Sequence, residues 1–168
     1  LFFYSTNLFS QNGNTSFSFL NIETSPRSIA MGGNLISVFD NDITLSQKTP
    51  SILNSEMDNN LSFSFIDYFS DINIVSFSFA KNFTKIGSLS LGFISADYGE
   101  FIETSENGDQ ISDFTASDQI LTFGYSRKIH EKLNLGFNVN FLNSLYELYK
   151  ATAITSNIST TYYNYDKN

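Results

Sequence analysis

Residues 131–143, EKLNLGFNVNFLN, alternate between two kinds of side chain throughout their central part. Leucine, phenylalanine and valine occupy the odd positions from 133 to 141, and asparagine or glycine occupies the even positions between them. A period of two predicts a β-strand, because successive side chains of a strand point to opposite faces of the sheet. One face is apolar and the other is small or amide. That pattern fits a soluble, half-buried strand and also a strand with lipid on one side and water on the other.

The same period recurs in five other segments, which predicts an all-β fold of about six strands. Four of them set apolar residues against Ser, Thr or Gly: LSFSFIDY (61–68), INIVSFSFA (72–80), GSLSLGFIS (87–95) and DQILTFGYS (118–126). The segment from 151 to 163 is Thr-rich and weaker, with Ile154, Ile158 and Tyr162 in phase. Runs of about 9–11 residues match the tilted strands of a transmembrane β-barrel, whereas soluble strands average about 5–6. No segment predicts a helix.

Composition narrows the function classes. The 168 residues carry a net charge of −8 and only 15% charged residues, which excludes a basic surface for nucleic acid. Cysteine is absent, so the chain has neither disulfides nor thiolate metal sites. No window approaches the ~20 apolar residues of a transmembrane helix. A transmembrane barrel remains compatible, because only alternate residues of its strands need to be apolar.

Connection lengths predict an orientation. Short turns are expected at 81–85 and 127–132, and a long loop, DYGEFIETSENGDQISDFTASD, at 97–118. Outer-membrane barrels keep short turns in the periplasm and long loops outside, so residues 99–117 are predicted to be extracellular. Exposed aromatic side chains often anchor protein interfaces. The loop is therefore a candidate docking surface, or packs on itself, through Tyr98, Phe101, Ile111 and Phe114.

The chain divides into three predicted parts. Residues 1–10 read as the remnant of a signal peptide, residues 11–60 as an N-terminal hatch or plug, and residues 61–168 as the first part of a barrel. The last residues follow directly on a strand-like run, and we expect the chain to be the N-terminal portion of a longer protein.

Candidate chemistry is sparse, and we predict no catalytic residue, metal site or cofactor. His130 is the single histidine and is expected in a solvated turn. The triplet Asp40–Asp42 resembles the opening of a calcium loop, but Leu45 stands where that loop requires glycine, so a turn is favoured. Arg27 inside a hatch would need an acidic partner, and Asp40 and Asp42 are the nearest in sequence; the alternative is an arginine that faces solvent.

The stretch SPRSIAMGGNLISVFDNDITLSQKTPSILN (25–54) resembles the N-terminal hatch of FadL-like outer-membrane barrels. That hatch runs from a small-residue and arginine start through Met-Gly-Gly and an Asp-rich turn to an Asn-Pro-Ala-Gly-Leu-like motif. Here the last motif reads Thr49–Pro50–Ser51–Ile52–Leu53, without its asparagine. The resemblance marks seven hatch residues: Arg27, Gly32, Gly33, Asn34, Asp40, Asp42 and Pro50.

Further segments are similar to the PorQ-like branch of this group, which belongs to the type IX secretion system: GGNLISVFDND, LNSEMDNNLSFSF, DYFSDIN, KIGSLSLGFISADYGEF and FTASD. The resemblance covers about residues 17–163. It implies a barrel of about 14 strands in the full-length protein, of which this chain holds the hatch and the first six.

The resemblance also implies a non-enzymatic function and a location in the outer membrane of a Gram-negative bacterium. The barrel would contact outer-membrane lipid and serve as a scaffold that anchors a surface protein of the attachment complex. The alternative is a FadL-like transporter of hydrophobic small molecules, and a third, weaker interpretation is a soluble secreted β-sandwich. In either barrel the apolar side chains of 133–141 face lipid, and arginine should be tolerated at Asn138 but not at Phe137.

Overall fold

The computed structural model describes residues 17–33, 35, 38, 40–105 and 110–163. Within them the chain forms a series of short helical turns followed by six strands. The strands are β1 Leu61–Asp67, β2 Asn73–Phe83, β3 Gly87–Thr104, β4 Gln110–His130, β5 Leu133–Tyr146 and β6 Tyr149–Tyr162. They pair in sequence order as one antiparallel meander. The predicted all-β fold is confirmed at this level, while the predicted signal remnant lies outside the described residues.

Before the sheet, the hatch (residues 17–60) contains one short α-helix, α1, at Pro26–Ala30. The side chain of Ser25 accepts a hydrogen bond from the Ser28 N–H, and Pro26 begins the helix, both of which favour helix initiation. Four 3₁₀ turns complete it, at Ser18–Asn21, Ile43–Gln47, Pro50–Ile52 and Ser55–Met57. No helix in the described part of the chain is long and apolar enough to cross a membrane.

The sheet presents an outer face away from the hatch and an inner face against it. On β5, Phe137 and Phe141 of the outer face are 41% and 43% exposed, whereas Asn138 of the inner face is 0% exposed. The same division holds on β1, where Leu61, Phe63 and Phe65 are exposed. The predicted separation of faces is therefore confirmed, with the apolar face outward and the polar face buried.

The apolar core lies between the hatch and the inner face rather than between two sheets. Its main cluster consists of Ile43, Leu45, Ile52, Leu53, Met57 and Ala80. Five of these six residues come from the hatch and only Ala80 from a strand. The inner face therefore needs few large apolar side chains of its own.

The predicted long loop at 97–118 is wrong. β3 and β4 continue as a paired hairpin up to Thr104 opposite Gln110, which leaves a connection of only residues 105–109. All four predicted docking residues therefore lie on strands. The error has a physical cause: at 100–104 and 110–115 every residue except Phe114 is exposed, so no buried face keeps the sequence alternation regular.

The two turns predicted at 81–85 and 127–132 are shorter in the structure than predicted. β2 continues to Phe83, which leaves residues 84–86, and β4 continues to His130, which leaves residues 131–132. His130 is thus exposed at a strand end rather than in a turn. Strands run from 7 to 21 residues instead of the expected 9–11. Because every connection is short, loop length no longer supports the predicted orientation, which stays a prediction.

Candidate functional site

The hatch meets the sheet most closely at the 3₁₀ turn Pro50–Ile52, which packs on the inner face of β5. A Cβ atom added at Gly136 would lie 2.1 Å from the Ser51 nitrogen and 2.3 Å from the Pro50 carbonyl carbon. Only glycine permits this approach of two backbones. The glycine in the alternating stretch is thus explained by hatch contact.

Asparagines of β5 bind the backbone of the hatch. The Asn134 side-chain amide donates to the carbonyl oxygens of Ser51, at 2.5 Å, and Leu53, at 3.0 Å. The Asn138 amide donates to the Gln47 carbonyl oxygen at 2.6 Å. These bonds satisfy carbonyl groups that short helical turns leave unpaired. We call this contact, formed by Asn134, Gly136 and Asn138 with the hatch backbone, the hatch seam.

β6 also contacts this part of the hatch, next to the seam. The Ser51 N–H donates to the Ser159 hydroxyl at 2.8 Å, and the hydroxyls of Ser51 and Thr161 are 2.7 Å apart. Thr49, which replaces the asparagine of the FadL-like motif, caps the turn without a side-chain hydrogen bond. The polar inner face therefore recognises hatch backbone, a role that alternation alone did not reveal.

The predicted partners of Arg27 are confirmed. Its guanidinium forms an ion pair with Asp40 and lies 4.0 Å from a carboxylate oxygen of Asp42. Asp40 accepts a hydrogen bond from the Asp42 N–H at 2.9 Å, and Asp42 accepts from the Thr44 N–H at 3.0 Å. The triplet is a turn that begins the next 3₁₀ segment, as predicted. In the ranges that the structure describes, no three His, Cys, Asp or Glu side chains are grouped as metal ligands.

The two glycines of the Met-Gly-Gly element follow α1. Gly32 and Gly33 have φ values of 90° and 75°, a region that favours glycine. The Gly33 N–H donates to the Ser28 carbonyl oxygen at 2.7 Å and terminates the helix. Pro50 is buried at the seam, and Asn34, the remaining predicted hatch residue, lies outside the described residues.

A cavity of about 420 Å³ lies between the hatch and the inner face. Its hatch wall includes an ion pair between Lys48 and Glu23. On its sheet wall the Thr122 hydroxyl donates to Asn140 at 2.8 Å, and Asn140 donates to the Thr155 hydroxyl at 3.1 Å. Leu45, Ile94 and Ile120 add apolar surface. The cavity is therefore of mixed polarity.

The upper hairpin, defined as residues 98–104 and 110–117, begins at a β-bulge. The pairing shifts between Asp97 and Glu100, and Gly99 has a φ of 78°. A bulge with one extra residue reverses which side chains face inward. Phe101 consequently shares a face with Phe114, and their rings stack at 5.3 Å between centroids.

Below the upper hairpin, Asp118 is 2% exposed and joins three strands. It accepts hydrogen bonds from the hydroxyls of Tyr98 at 2.7 Å, Ser144 at 2.5 Å and Tyr146 at 2.8 Å. The tyrosine rings stack at 6.2 Å between centroids. Sequence reasoning missed this cluster, although the inward phase of Asp118 on β4 was a usable signal.

The four predicted docking residues are thus not one patch. Phe101 and Phe114 stack together, whereas Tyr98 binds Asp118. Ile111 lies at a second irregularity of the pairing and is 63% exposed.

No family model, curated protein or solved structure matches this chain. The likeness to FadL-like and PorQ-like barrels therefore rests on the sequence motifs quoted above.

Proposed function

We propose that this chain forms the hatch and part of the wall of a non-enzymatic outer-membrane β-barrel that acts as a surface scaffold for a protein of the type IX secretion machinery. The observation that carries the membrane part is that the apolar face of the sheet points outward while its polar face packs against the hatch. Apolar side chains occupy the outer face of every strand: Phe63, Phe123, Phe137 and Ile158 are exposed, and Phe77 and Phe93 are half-buried. In water each would forgo about 25 cal/mol for every Å² left unburied, and large apolar patches mark interaction surfaces.

Polar residues bound this apolar surface at both ends. On β4 the outer face is polar at Gln119, apolar through Leu121, Phe123 and Tyr125, and charged at Arg127. Eight residue steps from Gln119 to Arg127 span roughly 27 Å along the strand. At a tilt of about 40° these two polar residues differ in height by roughly 20 Å, somewhat less than the ~25 Å apolar band of an outer-membrane barrel. The dimensions support a single crossing of the bilayer by each strand.

The upper hairpin supports the scaffold part of the proposal. It continues for seven residues past Asp97, which lies opposite the first residue of β2, and so extends beyond the β1–β2 edge of the sheet. It carries the Phe101–Phe114 stack, with Ile102 62% exposed, among acidic residues. A stiff paired hairpin with exposed aromatics loses less entropy on binding than a flexible loop of the same length would.

The cavity between hatch and inner face favours the transporter as a second candidate. Its volume of about 420 Å³ lies within the range of small-molecule sites. The Lys48–Glu23 ion pair and the amides on its walls disfavour a wholly apolar cargo. We therefore rank the scaffold first.

The membrane part is tested by extraction. A barrel should stay in the membrane fraction after an alkaline carbonate wash and enter solution only with detergent, with heat-dependent mobility in electrophoresis. Release by carbonate alone would favour the soluble β-sandwich and contradict both barrel functions.

The scaffold part is tested by shortening the upper hairpin in the full-length protein. Residues 101–114 are replaced by Asn-Gly, a two-residue turn that can close the Glu100–Thr115 pair. We expect the barrel to insert normally while its surface partner is released into the medium. A matched control, Ile102→Ser, leaves the Phe101–Phe114 stack in place and should retain most of the partner. Full retention after shortening would reject the hairpin as the anchor, and reduced uptake of a hydrophobic probe would instead favour the transporter.

A further inference from the structure

An open groove of about 720 Å³ runs along the outer face between β3 and β6. Its floor is apolar and consists of Phe93, Leu121, Phe141 and Ile154. These four residues form one cross-strand row, because each lies opposite the next in the pairing. The ring of Phe141 makes an edge-to-face contact with the ring of Phe123, at 6.2 Å between centroids.

The upper rim of the groove is polar and uncharged. Gln119, Asn143 and Thr152 lie opposite one another in the next cross-strand row. Within the described part of the chain, none of these three side chains has a hydrogen-bond partner. Unpaired amides at the edge of a hydrocarbon layer are costly unless a ligand or water satisfies them.

A cation lies one row above the rim. Lys150 is opposite Leu145 on the same outer face and is exposed. It takes part in no ion pair among the described residues. Asp97 is in the same row but three strands away, on β3, and its carboxylate accepts the Gly99 N–H. A negative group would therefore be favoured at the β6 side of the groove and disfavoured at the β3 side.

We infer that this groove binds one anionic lipid of the surrounding leaflet, with its acyl chains on the apolar floor, its polar head on the amide rim and its phosphate at Lys150. The inference rests on the proposed outer-membrane location and on the predicted extracellular side of the upper hairpin, the end at which Lys150 lies. The vertical order of apolar floor, uncharged polar row and cation matches the order of groups along a phosphorylated lipid. A partner helix would have no need of that order, because its polar and apolar groups alternate around its axis.

The test uses the protein purified in detergent, titrated with a bisphosphorylated lipid A and with its dephosphorylated counterpart carrying the same acyl chains. Native mass spectrometry counts bound lipids. We expect one saturable lipid. Lys150→Gln should weaken binding of the phosphorylated form about fivefold, the effect of one basic residue at an anionic lipid surface, and leave the dephosphorylated form unchanged. Asn143→Leu should weaken both forms.

The matched control is Arg127→Gln, which removes a cation from the same outer face at its opposite end. It should leave both affinities unchanged. Equal, unsaturable binding by wild type and all variants would show annular lipid only and overturn the site. A disulfide-linked dimer of Asn143→Cys would assign the groove to a second copy and also overturn it.

Failure of this inference can be separated from failure of the proposed function. If the protein resists carbonate extraction and shows heat-dependent mobility, yet binds no lipid in the groove, only the lipid-site inference is wrong. A protein released without detergent loses both proposals.

Discussion

The two faces of β5 carry opposite side chains in opposite environments. Phe137 on the outer face is 41% exposed, and its neighbour Asn138 on the inner face is 0% exposed. In a soluble half-buried strand the phenylalanine would be inside and the amide outside. Here the amide binds hatch backbone and the aromatic ring is the more exposed of the two. The sheet is ordered as if the apolar medium lay outside it.

The difference shows that a polar face can be a packing surface. Small residues on the inner face admit the hatch closely, and amides replace the hydrogen bonds that its short turns lack. The outer face makes no such contact with the hatch, and its middle rows are apolar. The inner face should therefore tolerate shape changes poorly, and the outer face should be sensitive to charge rather than shape.

The largest effect is expected at Gly136. In Gly136→Val the new Cβ would overlap the Ser51 nitrogen, an atom of backbone that cannot rotate away. We expect a loss above the ~1–3 kcal/mol of ordinary overpacking, seen as failure of the folded, heat-modifiable form to accumulate. Leu135→Val on the outer face is the matched control and should fold. Normal folding of Gly136→Val would mean that the hatch does not seat on β5 as described.

The next largest effect tests the outer face. Phe137→Arg places a charge where we propose lipid, at a cost of about 2–4 kcal/mol near the bilayer midplane. Phe137→Leu keeps the face apolar and should cost far less. The urea midpoint of the protein in lipid vesicles measures both. If the arginine variant were as stable as the leucine variant, the outer face would have to lie in water.

Asn138 gives a smaller effect of a different kind. The prediction that arginine would be tolerated at this position is wrong, because Asn138 is 0% exposed. We expect Asn138→Arg to prevent folding. Asn138→Leu is nearly isosteric but loses the bonds to Gln47 and to the Asn157 N–H. Leaving those groups unpaired should cost about 1–3 kcal/mol, measured as a lower urea midpoint. Asn143→Leu, on the outer face of the same strand, should cost less. An equal cost would show that the Asn138 hydrogen bonds to the hatch add no stability of their own.

The sequence predicted those features that a period of two encodes. The opposite faces of Phe137 and Asn138 and the pairing of Arg27 with Asp40 both followed from local pattern. The upper hairpin did not follow, because past the bulge its strands bury no continuous face and polar residues interrupt the alternation. Nor did the seam, since contact between Ser51 and Gly136 joins positions far apart in the chain. The alternation predicts a polar inner face towards water or towards a plug. Only the three-dimensional structure shows that this face packs on the hatch.

The smallest effect concerns the end of the sheet, where both faces meet water. The Asn82 N–H donates to the Asp58 carboxylate at 2.8 Å, and Lys81 lies 3.3 Å from it. The backbone hydrogen bond first, and Lys81 after it, hold the pKa of Asp58 below its ordinary value of 3.8. A lowered pKa in the folded state adds stability that is complete above pH 3.8 and is lost as the pH falls through the folded pKa.

We therefore expect wild type to exceed Asp58→Asn slightly in urea midpoint at pH 7, and the difference to shrink as the pH falls below about 4. Glu56→Gln is the matched control, because Glu56 is also an exposed hatch carboxylate but contacts Asn41 rather than the sheet. The difference between wild type and each variant, rather than the wild-type curve alone, reports on the single carboxylate that was changed. Because Asp58 is exposed, its contribution is screened by solvent and salt. A difference that stays constant down to pH 2 would assign the effect to lost packing rather than to charge. The hatch would then be held at this end, as at the seam, by shape and neutral hydrogen bonds.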